Sequence, residues 1–108
     1  MVKLNDIVRE KIISLTSRVD YNNGMLLSEE EVILRDKQEY VDGTVSCIFN
    51  VSSSRGRGYV LSKISTRNDS VVDTFCTCPR HRMKGSCEHI AAALINYKDI
   101  FFTDKSDE

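Results

Sequence analysis

The chain has 108 residues, 41% of them apolar and 29% charged, with a net charge of −1. That size allows one domain with a modest core, and that balance suits a folded soluble chain rather than a disordered one. No run of about 18 apolar residues is present, so no membrane-spanning helix is expected, and the near-neutral charge points to no partner by bulk attraction.

The opening residues Met1 to Asp6 lack the apolar core of a signal peptide, so a cytoplasmic chain with reduced thiols is expected. Leu4, Val8, Ile12, Leu15 and Val19 recur at steps of four, four, three and four. This is the stripe of an amphipathic helix over 1–20, with Asn5 or Asp6 near its N-cap. Asp20-Tyr21-Asn22-Asn23-Gly24 reads as the turn that ends it. Over 28–36 two readings compete: Ser28 and Glu31 have capping-box spacing, whereas Val32-Ile33-Leu34 fits a strand better.

Asp42-Gly43 is a turn signal. After it Val45, Cys47, Phe49 and Val51 alternate with Thr44, Ser46, Ile48 and Asn50, the period of a strand. A glycine-containing loop over 52–58, a strand over 59–64, a turn over 66–70 and a strand over 71–75 complete an antiparallel meander spanning 31–75. A cysteine-rich knuckle over 76–89 follows. It leads into a helix over 88–98, with Ile90, Leu94, Tyr97 and Phe101 as its buried stripe. The acidic tail 103–108 is expected to fray. The fold class is therefore α+β: an N-terminal helix, a small antiparallel β-meander, then a Cys3His knuckle and a C-terminal α-helix.

The knuckle carries the chemistry. Within Phe75 to Leu94 stand three of the four cysteines and both histidines. In a reducing compartment such clustering indicates metal ligands before disulfides. Cys76 and Cys78, two apart at a strand end, project to the same face. Pro79 stops the strand ladder, and 80–86 reads as a loop with Gly85 at its turn. Cys87 and His89, also two apart, cannot share a face inside a regular helix, so Cys87 must lie just outside it and His89 in its first turn. Four ligands arranged this way make a closed tetrahedral Cys3His site, the structural preference of zinc. Three thiolates and Zn²⁺ sum to about −1, which suits a helix N-terminus whose free N–H groups can donate to sulfur. His81 could replace His89 but stands mid-loop without paired spacing. Cys47 belongs to the apolar face of its strand and needs no ligand role.

Catalytic alternatives fare worse. A catalytic zinc keeps an open position, and here four good ligands fill the shell. The deaminase signature is absent, a redox pair is more often C-x-x-C, and a nucleophilic cysteine would lack a visible base and orienter. No enzyme is expected within this chain.

Charge is unevenly spread. Residues 1–50 sum to −3, residues 51–90 to +4 and residues 91–108 to −2. The basic third holds the knuckle, so Arg80, Arg82 and Lys84 of the knuckle and Arg55 and Arg57 of the hairpin loop are the candidate phosphate contacts. Arg80, Arg82 and Lys84 together are expected to be replaceable without cost to zinc or fold. The competing account is a solvated face, or a protein-docking module that uses the acidic first half and exposed strand edges.

The run Cys76-Thr77-Cys78-Pro79, then Cys87-Glu88-His89-Ile90-Ala91-Ala92-Ala93-Leu94, resembles the SWIM zinc finger: C-x-C, a variable loop, then C-x-H opening an Ala/Leu-rich helix. The strands before it resemble the β-region ahead of SWIM motifs in bacterial helicase-like ATPases of the Swi/Snf class, so the likeness spans roughly 40–98. The resemblance implies one structural zinc and a module that binds DNA or protein. It also implies a place beside a helicase-like ATPase, although no Gly-rich phosphate loop occurs in the chain itself. A monomer is expected.

Overall fold

Alternation of side-chain character builds the sheet. In β2 (Val45–Ser52), Cys47, Phe49 and Val51 are buried on one face, while Ile48, Asn50 and Ser52 are half-buried on the other. β2 is flanked by β1 (Val32–Glu39) and β3 (Tyr59–Arg67), and β4 (Ser70–Cys76) pairs beyond β3. The order β1-β2-β3-β4, antiparallel at every step, is the expected meander. The computed structural model describes residues 6–27, 29–52, 58–68 and 70–102. The frayed-tail expectation and the tip of the β2–β3 loop fall outside them.

The β1–β2 turn forms where Asp42-Gly43 signals it. Asp42 Oδ1 accepts from the Thr44 N–H at 2.9 Å, Gly43 takes φ +91°, and Arg67 reaches across to Asp42 Oδ2 at 3.2 Å. Over 28–36 the strand prevails: β1 begins at Val32 after one 3-10 turn, Glu29–Glu31. Val32 is buried in the core, and that contact outweighs the capping-box spacing.

The inner face of the sheet is covered by α4 (Glu88–Asn96), which touches all four strands. Its Ile90, Leu94 and Ile95 meet Phe49, Val51 and Ile64 in the core. The expected helix over 88–98 stops two residues early. Tyr97 leaves helical geometry at φ −119°, ψ 35°, and a short α5 (Lys98–Phe101) follows. The cause lies on β1: the Tyr97 hydroxyl accepts from the Leu34 N–H at 3.1 Å and donates to the Val32 carbonyl at 3.0 Å, taking the place of a fifth strand.

The N-terminus departs most from expectation. The helix expected over 1–20 is two helices, α1 (Asp6–Leu15) and α2 (Arg18–Gly24), so the segment read as a terminating turn is itself helical. Ser17 is extended and caps α2, its hydroxyl accepting from the Asp20 N–H at 3.1 Å. The break resets the stripe: Val8 and Ile12 are buried, but Val19 is 58% exposed and Asp20 turns inward instead. Leu4 and Asn5 lie outside the described residues. α2 rests on α4 at Gly24, where an added Cβ would come within 2.8 Å of the Ala92 backbone nitrogen. Only glycine allows the two helices so close.

Candidate metal centre

β4 ends at Cys76, and the chain turns through Thr77 to Cys78. Cys78 is the N-cap of α3 (Pro79–Lys84), so the stretch expected as a loop is mostly a short helix. The signals were in the sequence: proline suits the first helical position as well as it stops a strand, and Gly85 closes the helix at φ +78°. Cys87 then caps α4 with φ −161°, ψ 167°, outside the helix, and His89 sits in the first turn. The two ligand pairs thus come from a strand end and a helix start, as the spacing requires.

Cys76, Cys78, Cys87 and His89 are all buried, and their ligand atoms lie within 4.8 Å of one another. His89 Nδ1 is 3.9 Å from Cys76 Sγ, while Nε2 is buried and has no hydrogen-bond partner among the described residues. A tetrahedron with Zn–S near ~2.3 Å and Zn–N near ~2.0–2.1 Å has edges of roughly 3.4–3.8 Å, so small movements close these four atoms on one ion. Hydrogen bonds from Cys87, and also from His89 and Ser62, hold the Cys76 thiol well below its ordinary range. The bond that Cys87 makes to Cys76, together with burial, pushes Cys87 up, and burial does the same to Cys78. Thiols crowded this way resist sharing several negative charges. A dication removes that resistance, so the donor set fits a single structural Zn²⁺.

The sulfurs have outer partners. The Ser62 hydroxyl donates to Cys76 Sγ at 3.3 Å and the His81 N–H donates to Cys78 Sγ at 3.4 Å. The expected helix-terminus bond to sulfur is made at α3 by the His81 N–H, and at the start of α4 the Ile90 N–H acts on the Cys87 thiol, opposing its rise. Ser62 gave no signal of this role in the sequence, since its place opposite Cys76 follows from the β3–β4 register. His81 is no member of the cluster. Its ring meets Thr74 Oγ1 at 3.2 Å and stands edge-on to Phe75. Cys47 is also apart from the cluster, buried under the sheet, with burial pushing its thiol up as befits an inert hydrophobe.

The candidate phosphate contacts divide. Arg82 and Lys84 are exposed on α3 and make no ion pair among the described residues. Arg55 and Arg57 lie outside the described residues. Arg80 has a partner that the sequence reading did not foresee: its Nε donates to Asp20 Oδ1 at 2.6 Å, and Asp20 is 0% exposed. Burial alone would raise the Asp20 carboxyl, but hydrogen bonds from Ser86, Arg80 and Ser17 outweigh it and hold the group below its ordinary 3.8. The resulting stability is present above that value and is lost as pH falls through the lower folded one. The spacing Ser17-x-x-Asp20 could have signalled the start of α2. Nothing local signals a partner 60 residues away.

Among the described residues no helix is long and apolar enough to cross a membrane. No curated protein and no solved structure matches the chain. A family model, SWIM zinc finger, matches residues 60–98. The match opens in β3 and so covers less than the 40–98 likeness expected, but it spans β4, both ligand pairs and α4. The segment 60–98, with its Cys3His cluster, is a SWIM zinc finger.

Proposed function

We propose that this zinc-built module binds nucleic acid, DNA in the first place, weakly and without strong sequence preference. Its setting in this reading is that of a monomeric accessory domain of a cytoplasmic helicase-like ATPase. The observation that carries the reading is the pair Arg82 and Lys84, exposed and without an ion pair among the described residues, on the short helix that Cys78 caps. Arg80 adds charge to the same helix, although Asp20 fixes its guanidinium and leaves the side chain 42% exposed. The strand ends that flank Arg55 and Arg57 support the reading too: Ser52 pairs with Tyr59, and Ser62 pairs with Cys76, so both stand at the end of the sheet that carries the metal centre. Such cations contact phosphate and position a duplex without reading its bases.

The test is a titration of duplex DNA at several salt concentrations, wild type against an Arg82→Ala/Lys84→Ala double variant. Non-specific affinity of roughly 10⁻⁴ to 10⁻⁶ M near physiological salt is expected, and the variant should flatten the salt slope by about two units. Zinc content should not change. A variant that binds as wild type does removes the reading.

A second reading, a protein-docking adaptor, rests on the outer face of the sheet. Ile33 and Leu61 stand exposed there on either side of Asn50, and Phe75 stands exposed beside Lys63. Exposed apolar side chains interleaved with polar ones make a mixed surface of the composition that protein contacts use. Absence of DNA and RNA binding at low salt would put it first.

A further inference from the structure

Asp20 is a charged side chain with no exposure, and it lies in α2, outside the segment 60–98. Both of its oxygens are engaged. Oδ1 accepts from Arg80 Nε at 2.6 Å, and Oδ2 accepts from the Ser86 hydroxyl at 2.7 Å and the Ser17 hydroxyl at 2.9 Å. The two distant donors are not scattered. Arg80 stands two residues after the ligand Cys78, and Ser86 stands one residue before the ligand Cys87. One buried carboxylate therefore ties together the two turns that present ligands from opposite sides of the metal centre. A buried carboxylate is costly unless every lone pair is matched, so the arrangement fixes its donors tightly in place.

α2 has further anchors besides this carboxylate. The Ser17 hydroxyl caps its first turn, and Gly24 seats its last turn against the Ala91–Ala92 stretch of α4. With Gly24 fixed on α4, which Cys87 caps, Asp20 is held at a set height beside α3. α2 thus spans the gap between the two ligand-bearing turns.

We propose that Asp20 is a positioning residue of the metal centre, holding the Cys78 turn and the Cys87 turn at the separation at which their sulfurs meet around one ion. The proposal uses the Cys3His cluster and not the choice of macromolecular partner. By reciprocity of linked equilibria, metal bound in the cluster also secures α2.

The test uses the full 108-residue chain. Zinc affinity is measured by competition with a chromogenic chelator, and the visible spectrum of the cobalt(II)-substituted protein reports ligand geometry. Outer partners of metal ligands are commonly worth 10–100-fold in affinity, and Asp20 acts one bond further out, so Asp20→Ala should weaken zinc binding roughly tenfold. Its cobalt d–d bands should shift. Ile12→Ala empties a core position in α1 without touching Asp20 or its donors, so it should lower thermal stability and keep the wild-type bands. On chelation of wild-type protein, amide exchange over 18–24 should rise. Unchanged zinc affinity in Asp20→Ala, or weakened affinity with wild-type cobalt bands, overturns the proposal. If Asp20→Ala does not fold, Ser86→Ala removes a single donor and decides the matter. A smaller loss of affinity with the same band shift supports the proposal, and no change overturns it.

Discussion

α3 and α4 both start at a zinc-ligand cysteine, yet opposite forces hold them. α4 buries every residue from His89 to Ile95, against the sheet on one side and α2 on the other. α3 buries none of its six residues. Its one large apolar side chain, Met83, is 80% exposed. A helix that short is far below the length at which helix formation sustains itself. What remains to hold α3 is its ends and two side chains: Cys78 at the cap, Gly85 at the close, Arg80 on Asp20, and His81 on Thr74 and Phe75. The difference teaches that the ion stands in for a core where the local sequence is too polar to make one.

Removing the metal breaks that comparison most forcefully. Structural zinc sites gain on the order of 10 kcal/mol or more from the ion, and this gain is folding free energy. Cys87→Ser is therefore expected to lose stoichiometric zinc and to melt α3, while part of the α4–sheet contact survives. Amide exchange should show protection lost first over 79–84 and later over 88–96, with metal analysis alongside. Stoichiometric zinc in Cys87→Ser, or wild-type protection of α3 without metal, would contradict this account. Cys47→Ala sharpens the result, because a buried cysteine outside the cluster should leave the zinc content unchanged.

The opposite break spares the metal ligands and empties the core. Phe49 is buried in β2, 4.9 Å from the Tyr97 ring centroid and 6.0 Å from that of Phe101. Truncating a core phenylalanine costs about 3–5 kcal/mol, through lost transfer energy and the cavity left behind. Phe49→Ala should lower the denaturant midpoint by a corresponding amount while the purified folded fraction keeps one zinc. If the two regions are held as argued, protection falls in α4 and the sheet together, and α3 opens only with global unfolding. A change in stability below about 1 kcal/mol would mean that the sheet does not hold α4 in this way.

How far the sequence could be read follows from the same division. Period-two alternation in 45–51 and the ligand spacing in 76–89 are local signals, and each led to the element that forms. The four ligands were legible because two pairs at i, i+2 admit few geometries. Pro79 has two meanings, a strand stop and a helix start, and α3 follows from the second, which a loop over 80–86 leaves out. The break at Ser17 was missed because Val19 continued the apolar stripe that Asp20 in fact overrides. Asp20 itself looked like an ordinary turn residue. Its burial depends on Arg80 and Ser86, and a partnership over 60 residues or more leaves no trace in local periodicity. That hidden pairing is also why Arg80 is not interchangeable with Arg82 and Lys84, as a count of basic residues would suggest.

The smallest expected effect concerns the far end of α4. Its N-terminal end carries the metal ligands, and its C-terminal end, beyond the buried Leu94 and Ile95, carries a hydroxyl that reaches β1. Tyr97 breaks the helix and bridges the free edge of β1, accepting from the Leu34 N–H and donating to the Val32 carbonyl. Tyr97→Phe keeps the ring against Phe49 and removes only those two bonds. A neutral hydrogen bond contributes about 1 kcal/mol net, and a buried group left unsatisfied costs about 1–3 kcal/mol. β1 is an edge strand with Leu34 only half-buried, so water can replace part of what is lost and a total near ~1 kcal/mol is expected. The effect should be local: faster amide exchange at Leu34, a slightly lower melting temperature, and unchanged zinc content. Unchanged exchange at Leu34 would show that the hydroxyl does not hold the strand edge. A loss of zinc would show instead that the two ends of α4 are coupled, and that the metal-held and core-held regions are not separable along this helix.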